Sequence, residues 1–103
     1  MILYNVTTKI NRDRANDWLD WLSKIHIPKL FQTGLFLEYK ICHLLGMNDP
    51  DDETFAVQYF FESIDTFNQY QQQHAKAMQQ DAIRRFGDCA ASFRTVMEVL
   101  DAS

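Results

Sequence analysis

Two spacings of apolar residues alternate along the chain, and together they predict the order of its secondary-structure elements. Apolar and β-branched residues recur at nearly every second position in residues 2–10, 35–45, 54–61 and 90–100, a spacing typical of strands. An Asn-Asp-Pro-Asp-Asp stretch between the second and third of these segments predicts a solvated hairpin loop. The pattern therefore predicts four strands.

A helical spacing of apolar residues follows the first strand. It predicts a helix that begins at Asn11 or Asp13 and ends before Gly34, a residue typical of helix C-termini. Because a proline disfavours helical geometry in the residue before it, Pro28 predicts a kink or a restart at Ile27. The core-facing positions of this helix are Ala15, Trp18, Leu19, Leu22, Ile25 and Leu30.

A second helix is predicted from Ser63, a good N-cap residue, to Phe86, with Gly87 following its C-terminus. Its apolar stripe contains a histidine, His74, whose side chain titrates near neutral pH. The stripe consists of Ile64, Phe67, Tyr70, His74, Met78, Ala82 and Phe86.

The order β-α-β-β-α-β predicts an α+β fold of the ferredoxin-like class. Right-handed crossovers place both helices on one face of a four-stranded antiparallel sheet. With 103 residues, the chain is predicted to form a single ferredoxin-like domain over residues 1–103.

The alternation of side chains along each strand predicts which residues face the helices. The more apolar set is assigned to the helix side: Ile2, Tyr4, Val6, Leu35, Leu37, Tyr39, Ile41, Phe55, Val57, Tyr59, Phe61, Phe93, Met97 and Val99. The opposite set is mixed: Asn5, Thr7, Phe36, Glu38, Lys40, Cys42, Gln58, Phe60, Arg94, Val96, Glu98 and Leu100. Such a mixed face suits packing against a second copy, so a homodimer is predicted. A β-bulge would move Asn5 or Arg94 to the helix side.

The net charge of −4 argues against a nucleic-acid partner, which calls for a basic surface. No segment is long and apolar enough to predict a membrane span, and the first residues do not resemble a signal peptide. The two cysteines, Cys42 and Cys89, are far apart and favour reduced thiols in a cytoplasmic protein. The spacing of the three histidines predicts no metal site, and no cofactor is predicted.

Several short segments together resemble a bacterial family of about this length that is classed as a domain of unknown function. They are Tyr4-Asn5-Val6-Thr7, His26-Ile27-Pro28, Thr33-Gly34-Leu35-Phe36, Gln58-Tyr59, His74-Ala75, Arg85-Phe86-Gly87 and Phe93-Arg94-Thr95. The resemblance covers nearly the whole chain. It implies a subunit similar to the dimeric α+β barrel proteins, and it implies no activity.

That wider superfamily includes cofactor-free monooxygenases, haem-degrading monooxygenases, lactone isomerases and stress-response proteins. The resemblance to its haem-degrading branch implies a site made of an Asn on the first strand, a Trp on the third and a His on the second helix. Asn5 and His74 fall in the matching elements, but the third strand has no tryptophan, since Trp18 and Trp21 belong to the first helix. The match to a haem site is therefore incomplete.

His74 is the candidate catalytic residue, as a general base or an axial ligand in a pocket between the second helix and the sheet. The structural alternative is a neutral histidine that bonds a core tyrosine such as Tyr4 or Tyr59. Those two tyrosines are also the candidate ligand-binding residues, together with His26 and Arg94.

His26 has a structural alternative as well, because a histidine beside a helix break can bond the freed carbonyls. Arg94 could hold a ligand carboxylate, and the alternative is an ion pair with Glu38 or Glu98.

Three functions follow from these residues. The first is binding of a small aromatic or acyl metabolite in a pocket near His74. The second is a cofactor-free monooxygenase or isomerase with His74 as the base. The third is a purely structural or interaction dimer, which would have a filled core and no cavity.

Overall fold

The computed structural model describes residues 1–103, and it confirms the predicted order of elements. A 3₁₀ turn and a π segment accompany the regular elements in the first connection. The bounds are β1 Ile2–Asn11, a 3₁₀ turn Arg12–Arg14, α1 Ala15–Trp21, a π segment Leu22–His26, α2 Ile27–Gln32, β2 Glu38–His43, β3 Asp52–Phe61, α3 Ile64–Gln73, α4 Ala75–Phe86 and β4 Ala90–Glu98.

The four strands form one antiparallel sheet in the order β2-β3-β1-β4. In the central pair, Tyr4 lies opposite Tyr59 and Val6 opposite Val57, so these side chains share one face. The helices cover that face, which confirms the ferredoxin-like fold. No helix of the chain has the length and apolarity needed to cross a membrane.

An aromatic cluster at one end of the sheet forms the densest part of the core. Phe61 is 0% exposed, and its ring centroid lies 4.5 Å from that of Phe36 and 5.3 Å from that of Phe67 on α3. Tyr4 adds a centroid distance of 5.1 Å to Phe67, and Tyr70 lies 5.0 Å from Phe36. Tilted and edge-to-face rings of this kind add to the free energy of burial. They hold α3 against β1 and β3.

Of the kink or restart predicted at Ile27, the structure shows the restart, because a new α-helical segment, α2, begins at Ile27 after a π segment that accommodates the proline. The Ile27 N–H donates to the Leu22 carbonyl, five residues back, and Ile27 keeps helical angles of φ −63° and ψ −44°. The wider turn gives space to the ring of Pro28, which has no N–H to donate. The helix axis therefore continues into α2.

The predicted second helix is interrupted at His74, the candidate catalytic residue. His74 has φ −130° and ψ −31°, outside helical geometry, and it separates α3 from α4. The Ser63 hydroxyl caps α3 by accepting from the Thr66 N–H at 3.2 Å, as its identity predicts. The sequence predicted this start correctly and missed the interruption.

The predicted assignment of side chains to the two faces of the sheet holds for β1 and β3, and it was wrong just before β2 and in β4. Regular pairing of β2 begins only at Glu38, so Phe36 lies in the core at 8% exposure while Leu37 is 51% exposed. In β4 the register runs without a bulge and places Arg94 opposite Val6 and Val96 opposite Tyr4. These two residues therefore share the helix face.

Phe93 and Met97 of β4 lie on the open face instead, opposite Thr7 and Leu3. From Ala91 to Glu98 every residue of this strand is exposed, so no burial on either side fixes its alternation. The exposed fractions of Phe93 and Met97 are 64% and 42%. Phe93 and Met97 thus point away from the core.

Candidate functional site

A cavity lies between the helix face of the sheet and the helices, and it has two connected parts. The inner chamber has a volume of about 60 Å³ and the outer chamber about 190 Å³. Both chambers are lined by Thr8, Trp18, Gln79, Ala82, Ser92 and Arg94. The inner chamber is further lined by Tyr4, Val6, Trp21, Leu22, His26, Leu30, Phe36, Val57, Tyr59, Tyr70 and Met78.

The cavity exists because the helical layer covers the sheet unevenly. α3 packs directly on β3, whereas the backbone of α4 approaches α3 more closely than it approaches any strand. Beyond the break at His74, the space between α4 and the β1–β4 pair is filled only partly by side chains. The exposed residues Ser92 and Arg94 form the side where the cavity meets the surface.

Three tyrosines form the polar part of the inner wall. Burial raises the pKa of Tyr59 and of Tyr70 far above the ordinary value of a phenol, so both remain neutral donors. Burial also raises the pKa of Tyr4, and the neighbouring Arg94 guanidinium and Gln79 amide partly offset that rise. The wall therefore presents neutral hydroxyl groups beside one cation.

That cation, Arg94, has no carboxylate within ion-pairing distance. The ion pairs of the chain involve other residues, so the predicted alternative of pairing with Glu38 or Glu98 is absent. A guanidinium presents a planar set of N–H donors that matches a carboxylate. Within a largely aromatic wall, an unpaired arginine is the group best suited to hold an anion.

The helix wall contains His26, whose ring stacks on that of Trp21 at a centroid distance of 4.6 Å. The two residues are five apart, and the π segment between them brings residues of that spacing closer to one face than an α-helix would. Burial lowers the pKa of His26 to about 4. The Asp81 carboxylate opposes this effect, and the charges of Lys29 and Arg94 reinforce it. The imidazole is therefore neutral at neutral pH.

Three buried polar atoms in this region have no hydrogen-bond partner in the protein: Trp21 Nε1, His26 Nδ1 and Asp81 Oδ2. The other oxygen of Asp81 is 3.5 Å from an Arg84 nitrogen and 3.8 Å from Nε of Arg85. A buried donor or acceptor without a partner costs about 1–3 kcal/mol. These are the only such side-chain atoms in the chain, and they lie on facing elements, the first helix and α4.

The structure brings four of the predicted site residues to one cavity, namely Tyr4, Tyr59, His26 and Arg94. It does not bring His74 there. His74 is half-buried at the α3–α4 break, and its ring lies 6.4 Å from that of Tyr70. Its side chain bonds neither Tyr4 nor Tyr59, so the predicted structural partner was wrong.

The sequence did not single out Trp21, Tyr70, Gln79 or Asp81 as site residues. Trp21 and Tyr70 have the pattern of ordinary core aromatics, and the structure places both in the cavity wall. Asp81 offered one signal, because it is an acidic residue three positions after Met78 of the apolar stripe.

A haem site of the kind that the resemblance implied does not fit these residues. Asn5 lies on the open face, where its amide donates to the Thr7 hydroxyl at 2.9 Å, and His74 lies outside the cavity. The two residues that matched in sequence are thus on opposite sides of the sheet. No cluster of three or more His, Cys, Asp or Glu side chains has metal-binding geometry.

The family model described as "Domain of unknown function (DUF4286)" matches residues 1–100. The chain belongs to this family, in agreement with the resemblance seen in its sequence. A search of curated proteins gives no match.

Solved structures share the fold at low identity. A dimeric ferredoxin-like protein from an uncultured marine organism has a TM-score of 0.74 and 7% identity, covering 100% of this chain and 98% of its own. A putative antibiotic biosynthesis monooxygenase from Deinococcus radiodurans has a TM-score of 0.72 and 14% identity, covering 100% and 96%. HapK from Hahella chejuensis has a TM-score of 0.70 and 11% identity, covering 100% and 96%. These similarities confirm the fold.

The low pKa of His26 predicts a dependence of stability on pH. The folded value of about 4 lies below the ordinary 6.5, so the unfolded chain takes up a proton between these values and the folded chain does not. The stabilisation is complete above pH 6.5 and is lost as the pH falls to 4, by an amount on the order of 2–3 kcal/mol.

Urea unfolding of the wild type and of His26→Gln at pH 7 and pH 4.5 measures this contribution. Because the carboxylates titrate in both proteins, the difference in how much the free energy of unfolding changes with pH isolates the contribution of His26. We expect this change to be smaller in the variant. Equal changes in the two proteins would show that His26 titrates at its ordinary pKa.

Proposed function

We propose that the protein binds a small aromatic or acyl metabolite that carries an anionic group, in the cavity between the sheet and the helices. The observation that carries the proposal is Arg94, an unpaired cation in a wall of aromatic rings. Ligand sites are typically concave, mostly apolar and equipped with a few polar groups that orient the ligand. A purely structural dimer would need no such cavity.

The volumes support a ligand of one or two rings. An apolar cavity of about 150 Å³ binds benzene in another protein, so the inner chamber alone is too small for an aromatic ring. The outer chamber, at about 190 Å³, has sufficient room. Since Arg94 lines both chambers, a ring in the outer one could place its anionic group against the guanidinium.

Benzoate and benzamide form a matched pair of probes for this proposal, because they differ in charge and hardly in shape. We expect benzoate to bind the wild type about tenfold or more tightly than benzamide, since hydrogen bonds to charged groups contribute about 1.5–3 kcal/mol. Arg94→Gln should remove this preference in isothermal titration calorimetry.

Arg12→Gln is the control, since Arg12 is exposed and lies outside both chambers. It removes the same charge and should leave the preference intact. If benzoate and benzamide bind the wild type equally well, or if neither binds, Arg94 is not an anion-binding group.

The second candidate function is a cofactor-free monooxygenase or isomerase, and His26 is the observation that favours it. A neutral imidazole in the wall of a cavity can accept a proton from a carbon acid or a phenol. One of the solved structures that share this fold, from Deinococcus radiodurans, is described as a putative antibiotic biosynthesis monooxygenase. In this proposal His26 takes the role of base that the sequence assigned to His74.

Oxygen uptake with oxindole, a carbon acid of two rings, tests this activity, since its CH₂ group and O₂ give a carbonyl group and water. We expect His26→Gln to abolish any uptake above the uncatalysed rate and His74→Gln to leave it unchanged, because His74 lies outside the cavity. Equal loss in both variants, or uptake unaffected by either, would contradict the role of His26.

We propose in addition that residues 1–103 act as one domain in a cytoplasmic homodimer that pairs through the open face of the sheet. Both Cys42 and Cys89 are free thiols, as a reducing compartment favours. Phe93 and Met97 are the most exposed large apolar side chains on the open face of the sheet. Burial of such residues against a second copy removes apolar surface from water.

Phe93→Glu should convert the dimer to a monomer, as measured by light scattering after size-exclusion chromatography. A buried charge without a partner strongly disfavours association. Ile64→Glu is the control, because Ile64 is comparably exposed but lies at the start of α3, away from the open face. A Phe93→Glu protein that keeps twice the mass of one chain would show that the interface lies elsewhere.

A further inference from the structure

The helix wall of the cavity contains an unexplained set of polar atoms, distinct from Arg94 on the sheet wall. Trp21 is only 5% exposed and lines the inner chamber, yet its indole Nε1 donates to nothing in the protein. His26, stacked on it, lines the same chamber and leaves Nδ1 unpaired. Asp81 on α4 lines neither chamber, so its unpaired Oδ2 is not part of the cavity wall, although its charge acts on the His26 imidazole.

The chemistry of these atoms restricts what could satisfy them. The indole N–H can only donate, and Nδ1 of the neutral imidazole accepts when the proton of the ring is on Nε2. A ligand group that meets both must accept one hydrogen bond and donate another. A hydroxyl group does this, whereas an ammonium group cannot accept from Trp21 and a carboxylate cannot donate to His26.

We propose that Trp21 and His26 form a hydroxyl-binding subsite, and that the ligand is a hydroxyaryl carboxylate held between this subsite and Arg94. The inference rests on the proposed binding function and specifies its ligand class. The carboxylate would pair with the guanidinium on the sheet wall. The hydroxyl would enter the inner chamber, accept from Trp21 Nε1 and donate to His26 Nδ1.

The volumes of the two chambers also match the size of such a ligand. The inner chamber, at about 60 Å³, is too small for a ring but large enough for a polar substituent. The outer chamber accommodates the ring, and Thr8 and Gln79 line both chambers. A substituent that reaches inward from the ring would thus arrive at the unpaired atoms.

The test compares benzoate, 3-hydroxybenzoate, 4-hydroxybenzoate and phenol as probes of the full-length protein by calorimetry. We expect one of the hydroxybenzoates to bind about tenfold or more tightly than benzoate. Trp21→Phe should reduce that preference at least severalfold, because phenylalanine has no N–H to donate to the hydroxyl oxygen. Trp18→Phe is the matched control, since Trp18 also lines the cavity but its indole nitrogen is not among the unpaired buried atoms.

Because Trp21→Phe could perturb the core, the wild-type protein supplies a second readout. In ¹H–¹⁵N spectra, the indole N–H signal of Trp21 should move downfield with the preferred hydroxybenzoate and not with benzoate. The signal of Trp18 should respond alike to both probes. The Trp18→Phe spectrum assigns the two signals.

The outcomes separate the two proposals. If benzoate binds in an Arg94-dependent manner but no hydroxyl preference exists, the subsite is overturned and the proposed function stands. If phenol binds in a Trp21-dependent manner and benzoate does not bind, the subsite stands and the anionic ligand is overturned. If no probe binds, both are overturned.

Discussion

The packing of α3 onto the sheet is the constraint on which the rest of this structure depends. Phe67 and Tyr70 interlock with Tyr4, Phe36 and Phe61, and this cluster fixes one end of the helical layer close to the strands. After the chain leaves helical geometry, α4 continues without a comparable set of rings beneath it. Dense aromatic packing at one end and partial filling at the other create a cavity that a uniformly packed layer would not contain.

His74 forms the break between α3 and α4, a structural role that its position in the sequence did not predict. The preceding run of glutamines and the apolar stripe both favour an uninterrupted helix, and no glycine or proline marks the interruption. The histidine thus affects the site indirectly, through the direction that α4 takes. His26 occupies the wall itself because a local widening of the first helix orients it, which apolar spacing does not encode.

The sequence predicted the order of elements and the faces of β1 and β3, because burial on one side imposes a strict alternation there. It failed where that constraint is weak. Phe36 precedes the regular part of β2, so the parity of the strand does not extend to it. In β4, Phe93 and Arg94 are both exposed, and hydrophobicity alone assigned the wrong one to the helices. The candidate residues Tyr4 and Tyr59 followed from reliable periodicities, whereas the orientation of His26 depends on the π segment and the position of Asp81 on the three-dimensional arrangement.

The π segment has a consequence for how this chain can change in evolution. A π turn is equivalent to a helix that has absorbed one additional residue. Deleting a single residue between Leu22 and His26 would restore regular α-helical bonding, and the ring of Pro28 would then press against the carbonyl four residues before it, with no wide turn to make room. The buried Ile27 and Leu30 lie on either side of this proline, so the strain would fall on the core. The length of this segment is therefore under stronger constraint than the identity of its exposed residues, Ser23, Lys24 and Ile25.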